Sequence, residues 1–307
     1  MYSILEDRVI IELSGEDRLK FLQGLITNDI YKLNQTNSIY AFILTPQGKY
    51  STDLFIKNHG NNSFLIDLPI ARKDSVLSKL RMYKLRSNVD IKECPEHRVL
   101  ALTRHVEAIA ETSRNYLDPS VKPQDDEDRR HVEAIAETSR MNNDNFFPDP
   151  RSNSLGRRGF IHQDELAKIT KDLVNNQQAY DLNRIEHFIP EGEKDLIAEK
   201  SFILEYGFDN LNAIDYKKGC YVGQELIART HYSGEIRKEI VQITSDKDLP
   251  ELGTIIYIDN KKLGIICSSV GNKGLALIRQ EYAGMLDSKV IITENNQILK
   301  IKSKRNI

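Results

Sequence analysis

Residues 217–225 read Lys-Lys-Gly-Cys-Tyr-Val-Gly-Gln-Glu, so the Cys220 thiol stands between two glycines and behind two lysines. Glycine permits backbone conformations that other residues avoid and lets a ligand approach the main chain, which predicts an accessible thiol. A short helix is predicted from Gln224, and its positive end would lie near the sulfur. Together with Lys218, that end favours the thiolate, which is the nucleophilic and metal-binding form of cysteine. The alternative is a buried, inert cysteine that serves packing.

The same stretch resembles the Lys-Gly-Cys-Tyr-x-Gly-Gln-Glu signature of the folate-binding YgfZ proteins, which are relatives of the T-protein (aminomethyltransferase) of the glycine cleavage system. The resemblance implies a factor that matures or repairs iron-sulfur enzymes, with iron-sulfur client or scaffold proteins as partners. It also implies tetrahydrofolate, or a one-carbon derivative of it, as the bound cofactor. The motif residues are Lys218, Gly219, Cys220, Tyr221, Gly223, Gln224 and Glu225, followed on the helix by Arg229.

The resemblance implies an α+β fold, with a T-protein-like folate-binding region of two similar α+β halves over residues 1–235 and a small C-terminal β-barrel over residues 236–307. The residue pattern agrees with this order. Residues 39–44 and 49–57 predict a hairpin across the Pro46-Gln47-Gly48 turn. Mixed strand and helix patterns follow, and regularly spaced short strands after residue 236 are typical of a barrel. Cys267 lies in one of these strands and is predicted to belong to the core.

One segment interrupts the pattern. Residues 104–114 read RHVEAIAETSR and recur letter for letter as residues 130–140. The spacer over residues 117–129 is acidic and too polar to bury much surface, which predicts a solvated loop. Two copies do not make a solenoid. We interpret residues 104–145 as an insertion between two segments that match the family.

The composition of the 307-residue chain, 40% hydrophobic and 29% charged, is typical of soluble globular proteins and allows two domains. A net charge of -2 provides no global attraction to nucleic acid, so tRNA enters as a partner only through the family. Three scattered cysteines fit neither a disulfide framework nor a full zinc site, and we predict no metal centre. Residues 1–7 lead into no apolar segment, and no run reaches the roughly 18 apolar residues of a membrane span. We therefore expect no membrane association and a cytoplasmic location.

The family resemblance also implies a pterin site. Two carboxylates, Glu186 and Glu191, lie in the region matched to the family's Arg-x-Glu and Pro-x-Glu segments, and we assign the pterin contact to Glu186 together with Asp53. A carboxylate can accept two parallel hydrogen bonds from a ring N–H and an exocyclic amine. Tyr180 is expected against the pterin face and Arg8 at the second stacking position, while Lys218 and Arg229 would meet the glutamate tail. The alternative for Glu186 is a solvated position on a helix.

Other functions remain open at this level. The runner-up is a folate-dependent aminomethyl or methyl transferase, but T-proteins carry an Asp-Asp pair where this chain has Thr52-Asp53. A hydrolase built on Cys220 and His231 is weaker, because no third catalytic group is evident.

Overall fold

The structure is a computed structural model that describes residues 2–60, 62–103, 145–171, 173–234, 236–286 and 288–303. The predicted insertion lies outside the described residues, apart from Asn145 at its end. Two antiparallel sheets and a closed barrel make up the described fold.

The first sheet has five strands in the order β3-β4-β5-β2-β6. Its strands are β2 (Arg8–Ser14), β3 (Ser38–Leu44), β4 (Tyr50–His59), β5 (Ser63–Pro69) and β6 (Asp90–Glu93). The predicted hairpin is confirmed, because β3 pairs with β4 antiparallel. Helices α1 (Arg18–Gln23) and α2 (Lys73–Lys84) cover one face of this sheet, where Leu22 and Leu77 pack on Ile11 and Ile56.

The second sheet has the order β1-β7-β9-β8, with β1 (Tyr2–Ile4), β7 (His97–Leu102), β8 (Phe146–Pro148) and β9 (Arg157–His162). Helices α3 (Gln163–Ile169) and α4 (Gln177–Glu186) follow it. Phe160 from this sheet and Phe55 from the first belong to one buried core cluster. Successive side chains of a strand point to opposite faces, so Arg8, Asp53 and Asp67 share the face of the first sheet that lines this core.

The C-terminal barrel closes in the order β10-β13-β12-β11-β14-β15, as the sequence predicted. Its strands are β10 (Lys238–Thr244), β11 (Ile255–Ile258), β12 (Lys261–Val270), β13 (Lys273–Arg279), β14 (Ile291–Thr293) and β15 (Ile298–Lys302). Cys267 is buried in β12, in agreement with its predicted core position.

Short helices join these units. Helix α5 (Gly192–Asp195) and 3-10 helices at Ile203–Tyr206 and Phe208–Leu211 precede the motif, and α6 (Gln224–Ser233) follows it. Further 3-10 helices lie at Ile30–Asn34, Ile70–Arg72, Asn153–Leu155 and Gln280–Met285. Among the helices that the structure describes, none combines the length and the apolar character needed to cross a membrane.

Candidate functional site

The thiol of Cys220 is exposed, whereas those of Cys94 and Cys267 are buried. The loop that carries it ends at Gly223, and α6 begins at Gln224 as predicted. Cys220 is therefore the cysteine that a protein partner can reach without any rearrangement of the core.

The two glycines that flank Cys220 have different roles. Gly223 has a φ of 82°, and a Cβ placed on it would lie 2.5 Å from the carbonyl oxygen of Thr45. A Cβ on Gly219 would meet nothing within 4 Å, and its φ is outside the left-handed region. Only Gly223 is required by conformation and close packing, so the loop conformation depends on the second glycine.

Lys218 does not stand free beside the thiol, which corrects the expected thiolate-stabilising and glutamate-binding roles of its ammonium. Its Nζ donates hydrogen bonds to the carbonyl oxygens of Gln23, Ile26 and Asn28 at 2.7, 2.6 and 2.9 Å. The side chain is buried, and that burial lowers the pKa of Lys218 to about 8. The ammonium ties the motif to the segment that follows α1, so Lys218 positions the loop.

The remaining motif residues divide between core and surface. Tyr221 is buried, with Lys218 Nζ 4.9 Å from its ring centroid. Gln224 is half-buried, and Glu225 and Arg229 are exposed on α6. His231 stacks on Tyr216 with ring centroids 3.7 Å apart, an arrangement that the sequence did not predict.

A second site lies between the two sheets, in a buried group of polar side chains that we call the central charge cluster. Its members are Arg8, Asp53, Asp67, Asp149, Arg151, Arg158, Tyr180, Arg184, Glu191 and Asp195. None of these side chains is more than 6% exposed. A buried charge is costly unless it is paired and hydrogen-bonded. Each of these charges is therefore expected to be paired with another member of the cluster or with a bound ligand.

One half of the cluster is built on the first sheet. Arg8 donates to Asp53 Oδ2 at 3.0 Å and forms a close ion pair with Asp67. Arg158, from β9, donates to the other oxygen of Asp67 at 2.7 Å. Burial raises the pKa of Asp53, and the Arg8 charge opposes that shift. Arg8 thus neutralises carboxylates of the sheet. The stacking position expected for Arg8 and the pterin contact expected for Asp53 stay predictions.

The other half is built around Tyr180. Its hydroxyl accepts from Arg151 at 3.0 Å and donates to Glu191 Oε1 at 3.0 Å. Burial by itself would raise the pKa of Glu191, but Lys194, Arg151 and Arg184 hold that pKa well below its usual range. Glu191 is therefore a buried carboxylate anion at neutral pH.

Several buried atoms of the cluster make no hydrogen bond to the part of the chain that is described. They are Nη1 of Arg151, both Nη atoms of Arg158, and Oε2 of Glu191. The Arg158 guanidinium lies over the Phe55 ring, 3.7 Å from its centroid. Buried polar groups almost always have a partner in the protein or in ordered water. Three of the four atoms lie 3.4–4.0 Å from an opposite charge, so they are paired as ions but keep hydrogen-bonding capacity that a polar ligand or water could use.

An open cleft of about 600 Å³ borders the cluster. Tyr40 and Asp149 line it, and the Tyr40 hydroxyl lies 3.4 Å from Asp53 Oδ2. Its other walls come from residues 28–39, the loop at residues 148–153, and Asn212. Solvent thus reaches the edge of the cluster from this side.

The structure does not bring Glu186 to the cluster, which corrects the pterin contact assigned to it. Its Oε1 lies 2.8 Å from Lys273 Nζ at the surface of the barrel. Residues four apart share a helix face, so Tyr180 and Arg184 point inward from α4 while Glu186, two positions later, points away. Glu191 occupies the buried position instead. The Pro190-Glu191 pair was the sequence signal for it, but the pattern could not rank the two carboxylates.

Comparison with known proteins agrees with this architecture. A family model described as "CAF17, C-terminal beta-barrel domain" matches residues 237–298. The chain is 32% identical over 251 residues to the "Iron-sulfur cluster assembly factor IBA57 homolog, mitochondrial" of Mycosarcoma maydis, which covers 77% of this chain and 55% of that protein. The chain is thus similar in sequence to IBA57 proteins over most of its length. It is also 28% identical over 296 residues to the mitochondrial IBA57 of Mus musculus, which covers 90% of this chain and 77% of the mouse protein.

These relatives refine the interpretation in three ways. The chain spans about half the length of the Mycosarcoma maydis relative (55%). The resemblance implied an iron-sulfur assembly factor of the YgfZ type. These relatives are named as iron-sulfur cluster assembly factors IBA57, so the more specific YgfZ assignment is not confirmed. The expected cytoplasmic location is corrected, because these relatives are named as mitochondrial proteins and point to that compartment instead.

A solved structure confirms the predicted fold. The crystal structure of glycine cleavage system aminomethyltransferase T from Bartonella henselae matches with a TM-score of 0.71 at 13% identity, covering 100% of this chain and 86% of that one. At this identity the likeness shows the fold alone. The α+β region followed by a barrel is thus of the T-protein type.

Proposed function

We propose that this protein assists the assembly, maturation or repair of iron-sulfur clusters through the Cys220 thiol. The observation that carries the proposal is the exposure of Cys220 on a loop held by buried contacts, while the other two cysteines are buried. The names of the relatives support the same role. Partners would be iron-sulfur client or scaffold proteins.

The chemistry assigned to Cys220 is that of a single ligand. A thiolate binds iron or attacks sulfur, whereas the protonated thiol does neither efficiently. One exposed cysteine supplies one bond, so a cluster bound as substrate would take its remaining ligands from the partner protein. The contacts of Lys218 and Gly223 hold the Cys220 loop in one conformation. Less conformational entropy is therefore lost when the loop binds a partner protein.

We further propose that the central charge cluster binds a folate. Glu191 Oε2 makes no hydrogen bond within the described residues but lies 3.4 Å from Lys194 Nζ. It would accept from a ring N–H or the exocyclic amine of a pterin, and Arg151 and Arg158 would donate to the ring carbonyl. Tyr180 positions Glu191 through its hydroxyl. When bound, a reduced folate supplies one-carbon or reducing chemistry, and the residues of this chain orient it and exclude water.

Aminomethyl transfer of the T-protein kind is the less favoured function. Thr52 stands where T-proteins have the first carboxylate of their pair, and Asp53 is committed to Arg8 at 3.0 Å. An amine substrate would need a carboxylate that is not already neutralised by a buried arginine.

Cys220→Ser tests the first proposal. The exchange is nearly isosteric at an exposed position, so the free energy of unfolding should stay within about 0.5 kcal/mol. The variant should fail to restore activity to a cluster-depleted iron-sulfur enzyme in a defined reconstitution. Lys217→Ala, at the exposed lysine of the same loop, is the control that should retain activity. Full reconstitution by Cys220→Ser would refute the proposal.

Glu191→Gln and Glu186→Gln test the second proposal as a matched pair. Truncating one partner of a buried charge pair typically costs about 2–5 kcal/mol. Glu191→Gln should therefore weaken tetrahydrofolate binding at least tenfold, about 1.4 kcal/mol, in a fluorescence titration. Glu186→Gln should bind like the parent protein. Equal binding by both variants would exclude a folate at Glu191 and leave the role of Cys220 untouched.

A further inference from the structure

The turn that leads from β6 into β7 carries three metal-binding side chains close together. Cys94, Glu96 and His97 each offer one ligand atom, and these atoms lie within 4.8 Å of one another. The group belongs to neither the Cys220 loop nor the central charge cluster. We propose that it binds a divalent transition metal of the zinc type, with His162 as the fourth ligand.

The local backbone explains why the three side chains converge. The N–H of His97 donates to the carbonyl oxygen of Cys94 at 3.1 Å, which closes a β-turn with Pro95 at its second position. The N–H of Cys94 donates to Ile10 at 3.0 Å and anchors the turn to β2. Cys94, Glu96 and His97 thus occupy positions one, three and four of a tight turn whose backbone is hydrogen-bonded to β2. They supply a thiol, a carboxylate and an imidazole.

The ligand set suits zinc. Thiolate, imidazole and carboxylate are the zinc ligands of proteins, with bond lengths of about 2.0–2.3 Å. Tetrahedral bonds of that length separate the ligand atoms by roughly 3.3–3.8 Å. His97 Nδ1 and Glu96 Oε1 already lie 3.2 Å apart, so binding requires the Cys94 sulfur and the His162 ring to approach this pair. On binding, the Cys94 proton leaves to solvent as the sulfur–metal bond forms.

The neighbouring strand supplies the fourth ligand. His162, the last residue of β9, is paired in register with His97. Their ring centroids are 5.4 Å apart with the planes at 89°, close to the roughly 5 Å expected for two imidazoles on one tetrahedral ion. The Nδ1 of His162 accepts from the Asp164 N–H at 3.4 Å and lies 3.2 Å from Asp164 Oδ2. On metal binding the ring proton would have to move to Nδ1 and be donated to that carboxylate, which frees Nε2 for the metal. A carboxylate behind the distal nitrogen is the usual support of a zinc-bound histidine.

The position of the group indicates what the metal would do. Residue 93 ends the first sheet and His97 begins its strand in the second, so the ion would join the crossover between the sheets to the end of β9. Cys94 and His97 also line a pocket of about 420 Å³ that opens beside β2. This pocket provides an entry path, which a metal site requires. The side chains of His97 and Glu96 are 18% and 38% exposed, so a metal ion can reach them from solvent.

The test uses the full chain carrying Cys220→Ser, so that the exposed thiol does not compete for metal. Stripped protein is titrated with Co²⁺ for its thiolate-to-metal absorption band and with Zn²⁺ in competition with a chromophoric chelator. We expect one ion per chain and a higher Tm with Zn²⁺, because a ligand that binds only the folded state stabilises it. Absorption spectroscopy at the zinc edge should show one sulfur at about 2.3 Å.

Variants of the three half-buried ligands keep the test independent of folding defects in the core. His97→Gln, Glu96→Gln and His162→Gln should each weaken Zn²⁺ affinity at least tenfold, and Cys94→Ser should remove the thiolate band. His187→Gln, at an exposed histidine that lies on the loop after α4, is the matched control and should bind normally. Failure to bind one Zn²⁺, or equal binding by His97→Gln and His187→Gln, would overturn the proposal.

Discussion

Gly48 and Gly223 lie against each other: a Cβ on Gly48 would be 3.1 Å from the Gly223 carbonyl oxygen, and a Cβ on Gly223 would be 3.1 Å from Gly48 Cα. Both residues have φ in the left-handed region, at 72° and 82°. The turn between β3 and β4 therefore packs directly on Gly223, the residue that precedes α6. The first sheet positions the Cys220 loop through this contact.

Gly223→Ala should destabilise the protein by at least ~2 kcal/mol, because it combines a left-handed φ with a methyl group 2.5 Å from the Thr45 carbonyl oxygen. Gly219→Ala, on the other side of Cys220, should change stability by less than ~1 kcal/mol, since its Cβ meets open space. Urea unfolding of the two variants measures the difference. Equal losses would show that the loop is not supported by the Gly48 turn.

Lys218→Met should cost about 2–4 kcal/mol of stability, because it leaves three carbonyl oxygens without the ammonium that donates to them. Lys217→Met, at the exposed neighbouring lysine, should be within about 0.5 kcal/mol of the parent protein. Chemical unfolding gives both values. A Lys218→Met variant that is as stable as the parent but loses iron-sulfur assembly activity would contradict this structural role. It would support the original prediction that the Lys218 ammonium stabilises the Cys220 thiolate.

Glu191→Gln should change the acid sensitivity of the fold. The folded-state pKa of Glu191 lies well below its ordinary value of 4.5, so its stabilising contribution is complete above pH 4.5 and is lost as the pH falls through the folded pKa. The variant should be less stable than the parent at neutral pH, and the gap should narrow progressively below pH 4.5. Denaturant unfolding across that range, with Glu186→Gln as control, measures the trend. A gap that widened on acidification would contradict the assigned ionisation.

Replacing residues 104–145 with a Gly/Ser linker should leave the fold intact. β7 and β8 flank β9 in the second sheet, and the register offsets Thr103 and Phe146 by about three residues along the strands, so the linker must span roughly 14 Å. A linker of about six residues can span it at ~3.3 Å per residue. The free energy of unfolding should change by less than ~1 kcal/mol. A loss of more than ~2 kcal/mol would show that the inserted residues contribute to the core.

Sequence reasoning succeeded where a local pattern carries the information. The hairpin of β3 and β4 was predicted because a Pro-Gln-Gly turn separates two apolar runs, and the barrel because short strands recur at regular spacing. Helix α6 begins at Gln224 because Gly223 precedes an apolar helical pattern. Turn chemistry and periodicity are properties of neighbouring residues, so they can be recognised without the rest of the fold.

The contiguous Cys220 motif carried the resemblance that implied a T-protein-type α+β region, and the regular spacing of short strands predicted the C-terminal barrel. Which charges are buried became evident only in the folded chain. It placed Glu191 rather than Glu186 with Tyr180, bound Lys218 to three carbonyl oxygens, and brought His162 beside His97. Each of these outcomes depends on helix phase or on strand register between segments that are distant in sequence. The free energy of a buried charge likewise depends on which distant segments cover it and supply its partners, and a local pattern does not contain that information.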